Sequence, residues 1–257
     1  MMKMVTKFLN LVKKLYDIMK NKILNWQWFR DFFNITIFKY FVTWFAIVPV
    51  FSKLSEQLPK YISIQLNPVK SYIINLELPF KWEILWISSL SFVLAYVLYL
   101  IYSPTFVKRY FSYKDYKDYG HSPRWIVRES QNLVKSKFVD LMKFLERMIE
   151  KDYIHKINDH EGFEDKKVIV SKKETSLMFK NKSICYKFSM PIVVNEKENK
   201  ELTEIAVREV FWEVFARFSD SKFGIRLIIQ ILLIISLITF SIPFIESIVS
   251  GFKYLIK

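Results

Sequence analysis

The sequence predicts an integral membrane protein that is mainly α-helical, with about three transmembrane helices and a small cytoplasmic α+β module. Three observations support this fold class. Hydrophobic residues make up 52% and aromatic residues 18% of the 257 residues, although 25% of the residues are charged. Three apolar stretches have the length of a membrane span, and most charged residues lie between them. The apolar blocks are therefore expected in lipid and the charged blocks in water.

The clearest span is Trp82–Tyr102, which reads WEILWISSLSFVLAYVLYLIY and contains no charge after Glu83. A helix of about 20 apolar residues is needed to cross the hydrocarbon core of a bilayer. Trp82 and Trp86 lie near one end, and three tyrosines lie near the other. Amphipathic rings at both ends are typical of the two membrane interfaces. We predict that residues 82–102 form the second transmembrane helix.

The first transmembrane helix is predicted at residues 32–51, where Lys39 is the only charged residue. A lysine near the end of a span extends its ammonium group towards the headgroups, and we expect this of Lys39. If Lys39 lay deeper, it would be a candidate pore or pairing residue.

The third transmembrane helix is predicted at residues 225–245, with Arg226 at its start and Gln230 one turn further in. Residues 246–257 would then form a short tail at the far interface. The alternative is a helix that breaks near Pro243 and returns the tail partway into the bilayer.

Two further segments complete the membrane part of the chain. Residues 1–31 alternate apolar residues at helical spacing with lysines, which is typical of a basic amphipathic helix. Such a helix lies in the membrane interface or packs on the soluble module, and the pattern leaves both alternatives open. Residues 52–81 are predicted as an outer loop, within which Tyr61–Leu66 and Tyr72–Leu78 form either two short strands or a re-entrant segment.

Positive charge sets the predicted orientation. Six basic residues lie between Lys108 and Arg128, against two aspartates, and the N-terminal segment is also basic. Because cytoplasmic flanks carry the excess of lysine and arginine, both regions are predicted to be cytoplasmic in a multi-pass inner-membrane protein. The net charge of +14 makes a bilayer with anionic headgroups the expected partner.

The cytoplasmic module is predicted at residues 103–224, which contain 24 basic and 19 acidic residues. A helix is expected to begin at Ser122 and Pro123 and to end near Lys151. Three strands and a second helix follow, so the expected order is helix-strand-strand-strand-helix. The predicted strands are Lys167–Ser171, Thr175–Phe179 and Ile184–Val194, and the second helix is Lys200–Ser219.

The juxtamembrane neck is the most distinctive local pattern. Its tyrosines recur every three residues at positions 110, 113, 116 and 119, between lysine-aspartate pairs. Two interpretations remain open: an aromatic belt at headgroup level, or a stacking and cationic surface for a nucleotide or nucleic acid. The candidate neck residues are Lys108, Arg109, Tyr113, Lys114, Tyr116, Lys117, Arg124 and Arg128.

Signals for catalysis are weak. His155 and His160 lie beside an acidic turn, but their spacing does not place both imidazoles on one helical face. Cys185 is expected to be an inert core residue. We therefore predict no catalytic residues, no metal, no cofactor and no enzymatic activity; a hydrolase that uses the His155–Asp165 turn is a remote alternative.

The predicted spans contain few polar residues, so a conduction path would need several subunits. We expect a homo-oligomer, with a ring lined by Lys39, Thr43, Gln230 or serines, and with Arg226 near one mouth.

In layout the chain is similar to small bacterial membrane effectors, in which a cytoplasmic sensing module is fused to a few spans. That resemblance implies a toxin or antiviral defence role in which a trigger makes the protein damage the inner membrane. The alternative is a membrane-anchored scaffold that recruits a cytosolic partner through residues 103–224. The trigger would be a cytosolic protein, a nucleotide or a nucleic acid.

Overall fold

The computed structural model describes residues 24–36, 40, 43, 47, 50, 54, 61–67, 70–75, 81–157, 163–194 and 197–255. In chain order the elements are α1 (Trp26–Asn34), β1 (Tyr61–Asn67), β2 (Lys70–Asn75), α2 (Trp82–Tyr102), α3 (Thr105–Arg109), α4 (Tyr113–Asp118), α5 (Trp125–Lys135), α6 (Leu141–Glu150), β3 (Ile154–Ile157), β4 (Lys167–Val170), β5 (Thr175–Asn181), β6 (Ile184–Met190), β7 (Val193–Val194), β8 (Lys197–Glu198), α7 (Lys200–Ser219) and α8 (Phe223–Leu255).

The described residues fall into two compact units. The span unit contains residue 24 and residues 31–102 and 224–255, and the module contains residues 25–30 and 103–223. Residues 25–30 therefore group with the module, although they precede the first predicted span.

Within the part of the chain that the structure describes, α2 and α8 are long and apolar enough to cross a membrane. Their positions agree with the second and third predicted spans. The first predicted span, residues 32–51, lies outside the described residues except for residues 32–36 and a few single positions, and Lys39 is among those left out. Residues 1–23 of the predicted N-terminal amphipathic helix also lie outside them.

Helix α8 continues past the predicted end of the third span. It includes Pro243 and ends at Leu255, so the alternative of a break near Pro243 is wrong, and residues 246–255 of the predicted tail are helical. A proline removes one backbone hydrogen bond, and long apolar helices tolerate this loss. At 1.5 Å per residue, α8 is about 50 Å long, which exceeds the roughly 30 Å thickness of a hydrocarbon core.

The predicted outer loop contains a hairpin. Strands β1 and β2 pair antiparallel, with Tyr61 opposite Asn75 and Ile64 opposite Tyr72. Of the two alternatives for this segment, the structure has the two strands.

The module contains an antiparallel sheet of four strands in the order β3-β6-β5-β4. The three predicted strands are present, and β3 is an additional strand that the sequence did not reveal. Its four residues pair with β6, with Ile154 opposite Phe188, so pairing with a neighbouring strand stabilises a segment too short to show periodicity. Strand β6 ends at Met190, before Pro191, so the strand predicted at Ile184–Val194 ends at the proline, and Val193–Val194 form the separate strand β7.

Helices cover one face of this sheet. Helix α5 packs against β4, β5 and β6, helix α6 packs against β3, and α7 packs against both helices. On the covered face Leu177 lies opposite Phe188, and both side chains are buried. Ile126, Leu133, Phe144 and Met148 supply the buried side chains of the two covering helices.

The single helix predicted from Ser122 to Lys151 is wrong in two respects. Ser122 and Pro123 lie in a turn in which the Ser122 carbonyl accepts from the Trp125 amide at 2.8 Å. The helix therefore begins at Trp125. It ends at Lys135, and a new helix begins where the Asp140 side chain accepts from the Lys143 amide at 3.3 Å. An N-cap inside an apolar periodic stretch thus divides it into α5 and α6.

Candidate functional site

The neck, residues 103–128, is not one helix but two short helices and a turn. Tyr110 is extended between α3 and α4, with φ −114° and ψ 116°. Ser112 and Asp115 then form a capping box that begins α4, because each side chain accepts from the backbone amide of the other. Gly120 ends the neck helices with a φ of +66°, a conformation that glycine adopts without strain. The tyrosine spacing therefore does not produce a stripe along one helix.

Two of the four tyrosines belong to the core of the module. Tyr110 is 0% and Tyr116 is 2% exposed, whereas Tyr119 is 59% exposed. The buried rings pack around Phe211 of α7, with centroid distances of 6.3 Å for Tyr110 and 5.3 Å for Tyr116. Their burial leaves neither ring free for a headgroup belt or for stacking on a nucleotide, so both interpretations are wrong for these two tyrosines.

His121 connects the neck to α5. Its Nε2 lies 2.9 Å from the Tyr110 hydroxyl. The imidazole lies nearly parallel to the rings of Tyr119 and Trp125, at interplanar angles of 4° and 6°. Burial lowers the pKa of His121, while the nearby carboxylate of Glu129 acts to raise it. The imidazole is therefore neutral at neutral pH.

A buried arginine joins α1 to the neck. Arg30 is 2% exposed, and its Nη1 donates to the carbonyl oxygens of Val107 at 3.1 Å and Tyr110 at 2.8 Å. The guanidinium also lies 4.2 Å from the ring centroid of Phe111. These carbonyls lie at the end of α3, where a cation interacts favourably with the helix dipole. Arg30 thereby attaches the segment before the first predicted span to the module.

The same segment makes two more hydrogen bonds to the module. The indole Nε1 of Trp26 donates to the Ser221 carbonyl at 2.9 Å, and the Gln27 amide donates to Ser219 Oγ at 3.2 Å. The sequence identified none of these three residues as functional. The sequence did contain one signal for this segment: the spacing of Trp26, Phe29 and Phe33 places the three rings on one apolar helical face.

A cavity of about 290 Å³ lies between α4 and the first turns of α7. Its lining residues come from the neck, from β8 and from α7: Tyr113, Tyr116, Lys117, His121, Pro123, Glu198, Lys200, Thr203, Glu204 and Val207. Three predicted neck residues, Tyr113, Tyr116 and Lys117, therefore meet at this cavity.

One ion pair spans the mouth of the cavity. Lys117 of α4 donates to the carboxylate of Glu204 on α7, and both side chains are exposed. The hydrogen bond from Lys117 lowers the pKa of Glu204, and the same bond raises the pKa of Lys117. Burial raises the pKa of Tyr113 and of Tyr116, so both phenols are neutral. Charged groups thus line the cavity together with aromatic and apolar groups.

The other predicted neck residues do not reach the cavity. Arg124 donates to the carbonyl oxygens of Ser171 at 2.9 Å and Lys172 at 2.7 Å, and so attaches the neck to the β4–β5 turn. Arg109 lies 5.9 Å from the Tyr110 ring centroid, and Arg128 lies 5.6 Å from that of Trp125. Lys108 and Lys114 are the remaining predicted neck residues, and neither of them lines the cavity.

The predicted pore residues have structural contacts within the span unit. Arg226 is 3% exposed and donates to the Leu24 carbonyl at 3.0 Å, and Gln230 Oε1 accepts from the Leu24 amide at 3.3 Å. Ser88 Oγ donates to the Ser236 carbonyl at 2.8 Å, which joins α2 to α8. Thr43 is helical and exposed.

Comparison with protein-family models, curated proteins and solved structures found no match to this chain. Within the described residues, His, Cys, Asp and Glu side chains form no group of three or more that could hold a metal ion. His155 Nδ1 lies 3.4 Å from a carboxylate oxygen of Asp152, and His160 lies outside the described residues. The cavity beside the neck is therefore the site on which we base the functional proposal.

Proposed function

We propose that this protein is an oligomeric inner-membrane effector, in which the module controls membrane integrity through the two helices α2 and α8. One observation carries the proposal: the two elements on either side of the cavity are each joined to a candidate membrane helix. Helix α4 follows α2 after ten residues, and α7 is followed by α8 after the three residues Asp220–Lys222. A change in the spacing of α4 and α7 is therefore passed to both candidate spans.

The connections are packed rather than loose. Phe106 of α3 is 3% exposed, and its ring lies 5.3 Å from Phe211 and 5.8 Å from Phe218. Because packed side chains transmit displacement better than a solvated linker, a displacement of α4 is expected to pass through α3 and α7 as one packed body. Arg30 extends this body to the segment before the first predicted span.

The proposal requires several copies of the chain. The described spans bury only 33% and 22% of their most apolar windows, so most of that surface is available to lipid or to other subunits. Their polar groups are already used within the chain: Arg226 and Gln230 bind residue 24, and Ser88 binds Ser236. A conducting path through one chain would lack polar lining from these groups, so we propose that it forms between subunits.

The direct test is membrane leakage. Proteoliposomes that contain the protein are loaded with dye, and Lys117→Cys and Glu204→Cys are joined by a short bismaleimide in a Cys185→Ala background. Fixing the distance between α4 and α7 is expected to change the leak at least fivefold. The matched control joins Arg147→Cys and Glu213→Cys, an ion pair that links α6 to α7 at 3.9 Å and does not line the cavity.

An unchanged leak with the first cross-link, or equal effects of both cross-links, would contradict control through the cavity. Membranes that stay intact in cells under all conditions of expression would contradict the effector role. Membrane potential and dye entry are the readouts in cells.

The orientation is proposed from the basic neck. A cysteine at Ser183, which is exposed on the β5–β6 turn, is expected to react with a membrane-impermeant maleimide only after the cells are permeabilised. Labelling of Ser183→Cys in intact cells would overturn the cytoplasmic assignment of the module.

A membrane-anchored scaffold is the second candidate. Helix α7 has an exposed apolar stripe, with Leu202 at 45%, Ile205 at 38% and Trp212 at 46% exposure. An apolar stripe of this kind is typical of a protein-binding surface. Replacing the spans with unrelated anchors discriminates between the two functions, since a scaffold keeps its activity and an effector loses it.

A further inference from the structure

We propose that the cavity between α4 and α7 binds a small zwitterion, namely a free α-amino acid with an aromatic or large apolar side chain. The inference rests on the proposed function, because it names the ligand of the same control site. It follows from the size of the cavity, from the balance of its charges and from the aromatic and apolar side chains in its lining.

The size excludes large ligands. A volume of about 290 Å³ corresponds to roughly ten water molecules at liquid density. An aromatic amino acid has a suitable size for this space, whereas a dinucleotide or a folded peptide does not. The cavity is open to solvent, so a ligand can enter without rearrangement of the core.

The charges that line the cavity are balanced. Lys117 and Lys200 provide two cations, and Glu198 and Glu204 provide two carboxylates. A polyphosphate would meet both carboxylates at close range, and like charges at such distances are unfavourable. A ligand with one ammonium and one carboxylate group has partners of opposite charge for both.

Binding of a zwitterion involves an exchange of ion pairs. The pair of Lys117 and Glu204 is exposed, and exposed pairs contribute little to stability. The ligand carboxylate can form an ion pair with Lys117 while the ligand ammonium forms one with Glu204. Neither protein charge is then left without a partner of opposite charge. Within the described part of the chain Lys200 and Glu198 form no ion pair, so both are available to strengthen these contacts.

The uncharged part of the lining favours a ring or a large apolar group. Tyr113, His121 and Val207 belong to this part, and Tyr113 lies nearly parallel to Tyr116 at a centroid distance of 6.2 Å.

The test is isothermal titration calorimetry of the full chain in detergent. The probes are L-tryptophan and L-phenylalanine, with tryptamine, indole-3-propionate and adenosine monophosphate as comparison ligands. We expect the amino acids to bind at least tenfold more tightly than tryptamine or indole-3-propionate, since each analogue lacks one of the two charges. Absence of binding, equal binding of the analogues, or tighter binding of the nucleotide would overturn the inference.

Variants locate the site. Glu204→Gln and Lys117→Met are expected to weaken binding at least tenfold, and Val207→Trp is expected to abolish it by filling the cavity. The matched control is Lys151→Met, which removes another ion pair to α7, with Glu209 at 3.2 Å, outside the cavity. Thermal unfolding of each variant is measured to check that the protein remains folded. Lys117→Met removes an exposed side chain that does not contribute to the core.

The binding measurement does not depend on membrane leakage. Binding without any change in leakage would contradict the effector function and leave the amino-acid site intact. Leakage that responds to the α4–α7 cross-link, together with no amino-acid binding, would overturn the site and leave the effector function intact.

Discussion

Arg30 donates a hydrogen bond to the backbone carbonyl of Tyr110 at 2.8 Å, although the two residues are 80 positions apart in the chain. The side chain of the same tyrosine lies 2.9 Å from His121 Nε2. Tyr110 thus contacts α1 through its backbone and the turn before α5 through its hydroxyl. The packing of α1, the neck and the turn before α5 therefore depends on this one buried tyrosine.

Arg30→Met is expected to destabilise the module by about 2–4 kcal/mol, because it leaves buried carbonyl oxygens without donors. Thermal or denaturant unfolding of the detergent-solubilised protein measures the change. Arg128→Met is the control, since Arg128 is exposed and only lies near the Trp125 ring, and we expect a loss below about 1 kcal/mol. Equal losses of unfolding free energy in the two variants would show that the hydrogen bonds of Arg30 do not stabilise the neck.

Phe211 and Trp212 are neighbours in sequence with opposite environments. Phe211 is 0% exposed in the middle of the tyrosine cluster, and Trp212 is 46% exposed on the other side of α7. Phe211→Ala is expected to cost about 3–5 kcal/mol of unfolding free energy, as for other buried aromatic residues. Trp212→Ala is expected to change it by less than about 1 kcal/mol.

Denaturant unfolding followed by near-ultraviolet circular dichroism compares the two variants. A larger loss for Trp212→Ala would mean that the exposed stripe of α7, not the tyrosine cluster, carries the packing energy.

The stability of the module is expected to fall in mild acid because of His121. Burial lowers its folded pKa below the value of about 6.5 for an unperturbed histidine. The unfolded chain therefore binds the proton more readily than the folded chain. The contribution of neutral His121 is complete above about pH 6.5 and is lost as the pH falls towards the folded pKa.

The measurement is the unfolding free energy of the wild type and of His121→Gln between pH 5 and pH 8. The difference between the two proteins isolates His121 from carboxylates that titrate at lower pH. A difference that stays constant over this range contradicts the prediction.

The contact between α2 and α8 is open to cross-linking. Ser88 Oγ and Ser236 Oγ lie 3.4 Å apart. In a Cys185→Ala background, Ser88→Cys with Ser236→Cys is expected to form an intrachain disulfide under mild oxidation, visible as a mobility shift on a gel. Ser88→Cys with Ser241→Cys is the control, because the Ser241 hydroxyl donates to the Leu237 carbonyl within its own helix. Disulfides of equal yield in both pairs would contradict the observed helix contact.

Local patterns in the sequence were enough to locate the elements that have strong periodicity or sufficient length. The predicted second span coincides with α2, and the strands β4, β5 and β6 lie within or close to the segments that their valine, isoleucine, phenylalanine and tyrosine content predicted. The predicted helix at residues 200–219 also coincides with α7. In these segments the order of apolar and polar residues directly reflects burial on one face or on all faces.

The sequence did not reveal the break between α5 and α6 or the strand β3. Asp140 acts as an N-cap in the middle of an apolar periodic stretch, and capping depends on backbone geometry that composition does not show. Strand β3 exists because β6 lies beside it, which is a long-range contact.

Hydropathy and charge in the sequence were enough to locate the candidate spans α2 and α8 and the module between them, because both are properties of single segments. The tertiary structure decided the roles of the neck residues. It placed Tyr110 and Tyr116 around Phe211, used Arg30 to hold backbone carbonyls, and brought Lys117 to Glu204 across a cavity. Each of these contacts joins residues far apart in the chain, and such pairings arise only when the packed core brings the elements together.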